Sequence, residues 1–144
     1  MFTSVSARSA NAYKSVGVET SVLGADAHQL VRLLYDALLQ SLGTAKLSIQ
    51  ARDIPAKGRA IGKAVCLIEE GLKAGLNDAQ GGDLAANLRR LYDYCILVLT
   101  EANLHSNEEK IDEVARLIKP LAQAWNAIQG EAAVSTGFAH KLGA

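Results

Sequence analysis

The chain has 144 residues, 49% of them hydrophobic and 21% charged, the balance of one folded domain large enough to bury a core without disulfide staples. Fifteen basic residues offset fifteen acidic ones and the isoelectric point lies near 6.8, which excludes the long-range basic field that holds nucleic acid or anionic lipid. The longest apolar run, Cys95 to Leu99, falls far short of the ~20 residues that span a bilayer, so stable membrane insertion is not expected.

Residues 1–25 form a first segment in which Arg8 and Lys14 are scattered among Ser and Ala. No apolar central block marks a secretory signal, and the expected location is the cytoplasm. The first helix opens at Asp26, whose carboxylate can cap free amides while Gln29 reaches back, and runs to about Gln50. Its seam is Val31, Leu34, Leu38, Leu42, Ala45 and Ile49. Leu30, Leu33 and Ala37 widen the apolar face beyond one stripe.

The second helix starts near Asp53 with Pro55 in its first turn, where a missing amide proton matters little. Ile61, Val65, Ile68, Leu72 and Leu76 supply its seam, and Gly58, Gly62, Gly71 and Gly75 weaken it by about 1 kcal/mol each relative to alanine. After a turn from Asn77 to Gly82, the third helix begins at Asp83. Leu84, Leu88, Leu91, Cys95, Val98 and Ala102 make a heptad seam, with a second stripe of Ala85, Tyr92, Ile96 and Leu99 beside it. The fourth helix begins at Ser106 or Asn107, with Glu108 and Glu109 at the positive end of its dipole. Ile111, Val114, Ile118, Leu121, Trp125 and Ile128 succeed them at helical spacing, and Pro120 predicts a kink or a loosened turn. Beyond Gln129 the periodicity stops, so 26–129 reads as the helical unit and 130–144 as a mobile tail.

Four such helices with short connections pack most simply as an all-α, up-down antiparallel four-helix bundle. Little catalytic chemistry fits inside it. Glu101 and His105 are the nearest approach to a bundle metal motif, and no second pair accompanies them, so no metal, cofactor or catalytic centre is expected. His28 reads as a first-turn surface residue, and Cys66 and Cys95 as free buried thiols.

What remains is apolar surface. The tripeptides Leu34-Tyr35-Asp36 and Leu91-Tyr92-Asp93 each place a tyrosine at the edge of an apolar seam, with a broad ring for contact and a polar tip for water. One repeated tripeptide is more simply chance than internal duplication. The helices carry more apolar stripes than a four-helix core alone requires, which points to a groove awaiting an amphipathic segment. A structural or regulatory bundle that self-associates through the same strip is the alternative, and homodimer formation stays open.

Several stretches in order resemble the FliS family of flagellin export chaperones. They are Ala12-Tyr13-Lys14, Glu19-Thr20, His28 to Val31 leading to Leu33 to Asp36, and Asn87-Leu88 leading to Leu91 to Tyr94. Glu101 to Asn103, Ile111 to Val114 and Ala124-Trp125 complete the series. The resemblance implies a cytoplasmic helical bundle without catalysis that binds the disordered C-terminal region of flagellin. It also implies that the protein prevents premature polymerisation and helps deliver flagellin to the export gate. It further implies that a short N-terminal segment packs across the bundle, anchored here by Tyr13 and Val16, until flagellin displaces it. The expected contact surface then joins Leu34, Tyr35 and Leu38 to Ile61, Val65 and Ile68 on the second helix. Asn87, Leu91, Tyr92 and Ile96 complete it on the third.

Overall fold

Apolar residues on one face of Ala27–Gln50 (α1) set the frame of the molecule: Leu34, Leu38, Leu42 and Ala45 are all buried there at helical spacing. The computed structural model describes residues 27–134, with side chains described for 27–128 apart from positions 78 and 80. The expected Asp26 cap, the N-terminal segment and most of the expected tail lie outside the described residues.

A tight left-handed corner ends α1. Arg52 adopts φ 57°, its amide donates to the Ile49 carbonyl at 3.1 Å, and the Asp53 amide donates to the Ser48 carbonyl at 2.9 Å. That pair of bonds is the Schellman pattern, which satisfies the last carbonyls of the helix. Asp53 then caps α2 (Ile54–Cys66), its carboxylate accepting from the Ala56 amide at 3.1 Å, with Pro55 in the first turn as its spacing predicts.

A change of helix type corrects the predicted second seam. α2 continues as a π-helix over Leu67–Lys73, and the wider turn brings Leu67, Ile68, Gly71 and Leu72 inward together. Of the expected seam Ile61, Ile68 and Leu72 are buried, joined by Ala60, Ala64 and Leu67, while Val65 and Leu76 are only half-buried.

α3 (Asp78–His105) contains a break at Gly82, with φ 53° and ψ −126°, so the expected turn is itself a helical stub before the main helix resumes. α3 ends at another left-handed residue, Ser106, with φ 50°, where the Asn107 amide reaches the Ala102 carbonyl at 3.1 Å. Lys57 of α2 is buried at this corner. Its Nζ donates to the Asn103 carbonyl and to Ser106 Oγ, each at 2.7 Å, placing a cation at the negative end of α3.

α4 (Glu108–Val134) extends past Gln129, the expected limit, and remains one helix through Pro120. Both Pro120 and Arg116, whose carbonyl loses its amide partner, are exposed, so water can satisfy the freed group. Ile111, Val114, Ile118 and Ala122 face inward, whereas Ile128 is exposed.

Each helix packs against its neighbours in sequence, and α1 also packs against α4, closing a ring of four antiparallel helices. The ring is also tied at its edge: Lys46 of α1 meets Asp112 of α4 at 2.9 Å, and Gln50 donates to Glu108 at 2.6 Å. Such exposed pairs contribute little energy and mainly set alignment.

Gly71 shows why one of the four weak positions in the second helical segment is necessary. A Cβ there would stand 2.7 Å from Leu34 Cδ2, and Leu34 is itself fully packed, so α1 approaches closely only because the side chain is missing. Gly62 faces open space. Urea unfolding should therefore show Gly71→Ala losing about 1–3 kcal/mol and Gly62→Ala gaining about 0.5–1 kcal/mol from helix propensity; equal effects at both sites would contradict the close contact.

Candidate surface for a partner chain

The two tyrosines meet inside the bundle. Tyr35 and Tyr92 are only 5% and 2% exposed, and their hydroxyls stand 2.8 Å apart. The expectation that their polar tips face water is corrected: each finds its hydrogen-bond partner in the other, linking α1 to α3 across the ring. Burial raises the pKa of both phenols, the effect being larger at Tyr92, where the neighbouring Tyr35 adds to it.

The other expected contact residues divide by depth. Leu34, Leu38, Ile61 and Ile68 are buried in the same core cluster. Val65, Leu91 and Ile96 are half-buried and pack against its edge. Asn87 is exposed, and its amide oxygen accepts from Arg90. Tyr13 and Val16 lie outside the described residues. The deep residues are thus separated from solvent by the helices that present them.

Exposed apolar side chains occur at other positions. Leu97 and Leu104 are 56% and 76% exposed, one heptad apart on the outward ridge of α3, and Tyr94 beside them is also exposed. Tyr94 leans toward α4, its hydroxyl donating to Glu113. On the other flank, Lys73 of the π-helical stretch meets Asp93 at 2.6 Å and Glu69 at 3.3 Å. Leu47, Ile54 and Leu84 are exposed as well. The sequence carried a signal for the ridge, since Leu97 and Leu104 belong to neither inward stripe of α3. Leu84, counted in the predicted seam, precedes the level at which that seam enters the core.

Two concavities accompany these surfaces, and neither is lined by any of the expected contact residues. One, of about 240 Å³, runs between α1 and α2; the other, of about 540 Å³, is an open depression around the α3–α4 corner.

His28 departs from its expected surface position. Its ring stacks on Trp125 with centroids 4.4 Å apart, and Trp125 Nε1 donates to the His28 carbonyl at 2.9 Å, joining the start of α1 to α4. Of the two thiols, Cys95 is fully buried, whereas Cys66 is half-buried and donates to Glu70 at 3.1 Å. Burial pushes both thiols up to about 11. Among the described residues no three potential metal ligands converge, and no helix is long and apolar enough to cross a membrane.

The tyrosine pair makes two measurable statements. Tyr35→Phe or Tyr92→Phe strands one buried hydroxyl and should cost about 1–3 kcal/mol, the double variant losing less than the sum. Tyr92→Ala should cost about 3–5 kcal/mol by opening the core. Above about pH 10 unfolded tyrosines lose protons that the buried ones keep. The unfolded state then binds fewer protons and stability falls as pH rises, with the thiols adding the same sign from about pH 9. Urea midpoints between pH 8 and 10.5 should fall, and fall less in the double Phe variant; an identical slope would remove the phenols from the core.

A family model described as "Flagellar protein FliS" matches residues 9–132. The chain is 43% identical over 121 residues to the flagellar secretion chaperone FliS of Salmonella typhimurium, covering 84% of this chain and 90% of the relative. It is 39% identical over 116 residues to the flagellar secretion chaperone FliSB of Pseudomonas aeruginosa, covering 81% and 91%. With the FliS of Bacillus subtilis the identity is 30% over 121 residues, covering 83% and 86%.

Proposed function

The chain belongs to the FliS family of flagellar proteins, and on that premise we propose that it is a flagellar secretion chaperone that binds the C-terminal region of flagellin. It acts in the bacterial cytosol without catalysis, keeps flagellin from polymerising too early, and hands it to the export gate. Family membership across nearly the whole helical unit supports this reading, and the apolar side chains left at the surface give it a physical basis.

Ordering a disordered segment costs about 1–2 kcal/mol per residue in backbone entropy. Full burial of a leucine returns about 1.5–3 kcal/mol, so binding requires a succession of apolar contacts along the bundle. The exposed Leu97 and Leu104 begin such a series, and the half-buried Ile96, Leu91 and Val65 and the exposed Asn87 are the further contacts this reading assigns. The buried Leu34, Tyr35, Leu38, Ile61, Ile68 and Tyr92 support that surface from beneath, and reach flagellin only where helices separate. Residues 1–25, anchored by Tyr13 and Val16, compete for the same surface and lower the apparent affinity.

Co-purification with the C-terminal region of its own flagellin should yield a one-to-one complex. Leu97→Asp with Leu104→Asp should weaken that complex by about tenfold or more, while thermal unfolding stays near that of the parent because both positions are exposed. Retained binding would assign flagellin to another face. A stable homo-oligomer indifferent to flagellin would favour self-association. Removing Met1 to Val16 should tighten binding of a short flagellin peptide.

A further inference from the structure

The groove between α1 and α2 is separate from the α3 ridge and has a chemistry of its own. Its floor is made of the buried or half-buried Ala37, Ser41, Ala56 and Ala60. Its rims are the exposed Gln40 and Thr44 on α1 and Arg59 and Lys63 on α2.

Ser41 is the first group of the groove that a ligand could use. A helical serine often returns its proton to the carbonyl four residues back, as Ser48 does to Thr44 at 2.8 Å. Ser41 is only 9% exposed, yet its hydroxyl makes no hydrogen bond among the described residues, and the groove is the space it faces. The hydroxyl opens onto the groove, where water serves it, and a ligand group can replace that water with a directional hydrogen bond.

The rim cations are the second. Lys46, Lys73 and Lys110 each hold a carboxylate, but Arg59 and Lys63 have no ion pair among the described residues. They stand four residues apart on one helix, about 6 Å along its axis. Alternate residues of an extended chain repeat at about 6.6–6.8 Å, so carboxylates at every second position match them. The small floor lets a backbone come close, and Gln40, Ser41 and Thr44 offer it hydrogen bonds. A helical ligand presents carboxylates at a similar spacing, but its backbone amides are already paired, and only an extended chain brings free backbone groups to Gln40, Ser41 and Thr44. Two cations on a chain of net charge zero are too few to hold a nucleic acid or a lipid surface.

We propose that this groove binds an extended acidic peptide segment of a partner protein, with carboxylates at alternate positions on Arg59 and Lys63 and a backbone group on the Ser41 hydroxyl. The site is independent of the flagellin surface and stands whether or not the α3 ridge binds flagellin.

Fluorescence anisotropy with the full chain and a fluorescein-labelled peptide of alternating Asp and Ser tests it. Saturable one-to-one binding is expected, weakening with salt. Arg59→Glu with Lys63→Glu should weaken it by about tenfold or more, and Ser41→Ala by about fivefold. Unchanged circular dichroism would show that these variants remain folded. A peptide of the same length with Asn in place of each Asp should bind at least about tenfold more weakly, because it brings no carboxylate to the rim. Absence of saturable binding, equal binding by the charge-reversed variant, or equal binding of the Asn peptide would overturn the proposal. So would capture of phosphatidylserine vesicles through Arg59 and Lys63 without peptide binding.

Discussion

Two phenol hydroxyls held 2.8 Å apart inside an apolar interior set the terms on which the four helices meet. Neither hydroxyl has water to fall back on, so each requires the other, and the requirement spans α1 and α3, which face one another across the ring. A slip of either helix by one residue would strand both groups. The leucines around them fill volume and supply most of the burial energy, but leucine packing tolerates rearrangement far better than a paired hydroxyl does. Gly71 acts with this pair from the side of the π-helical stretch: its missing side chain lets Leu34, next to Tyr35, seat against the backbone.

The ends of the helices obey a similar economy of polar groups. Arg52 and Ser106 both take left-handed conformations that cost a side-chain-bearing residue about 1–2 kcal/mol, and both corners turn that strain into satisfied carbonyls. At the second corner the buried ammonium of Lys57 completes the set. These corners keep the connections short and the helices antiparallel, leaving two outward surfaces of different character: an apolar ridge on α3 and a small-floored groove with basic rims between α1 and α2. The first kind of surface suits an amphipathic segment. The second fits an extended acidic chain, and the separation of the two would let both be occupied together.

Local spacing can reveal some features of this fold and not others. The number and order of the helices, Asp53 as a cap and Pro55 in the first turn of α2 were legible because each depends on residues within one or two turns. The π-helical stretch was not, since nothing in Leu67 to Lys73 marks an extra residue per turn until the neighbouring helices demand inward side chains. The same holds for Tyr35 and Tyr92, whose place at the edge of a seam could lead equally to solvent or to each other.

The sequence alone therefore determined an all-helical chain, the approximate boundaries of its helices and its family, because periodicity and capping are local properties that survive in one dimension. Only the tertiary structure decided which apolar residues are consumed by the core and which, like Leu97 and Leu104, stay outside. It alone paired the tyrosines and set Ser41 in one groove with Arg59 and Lys63. Those outcomes depend on the rotation of each helix about its axis, and that rotation is set by contacts between residues far apart in the chain.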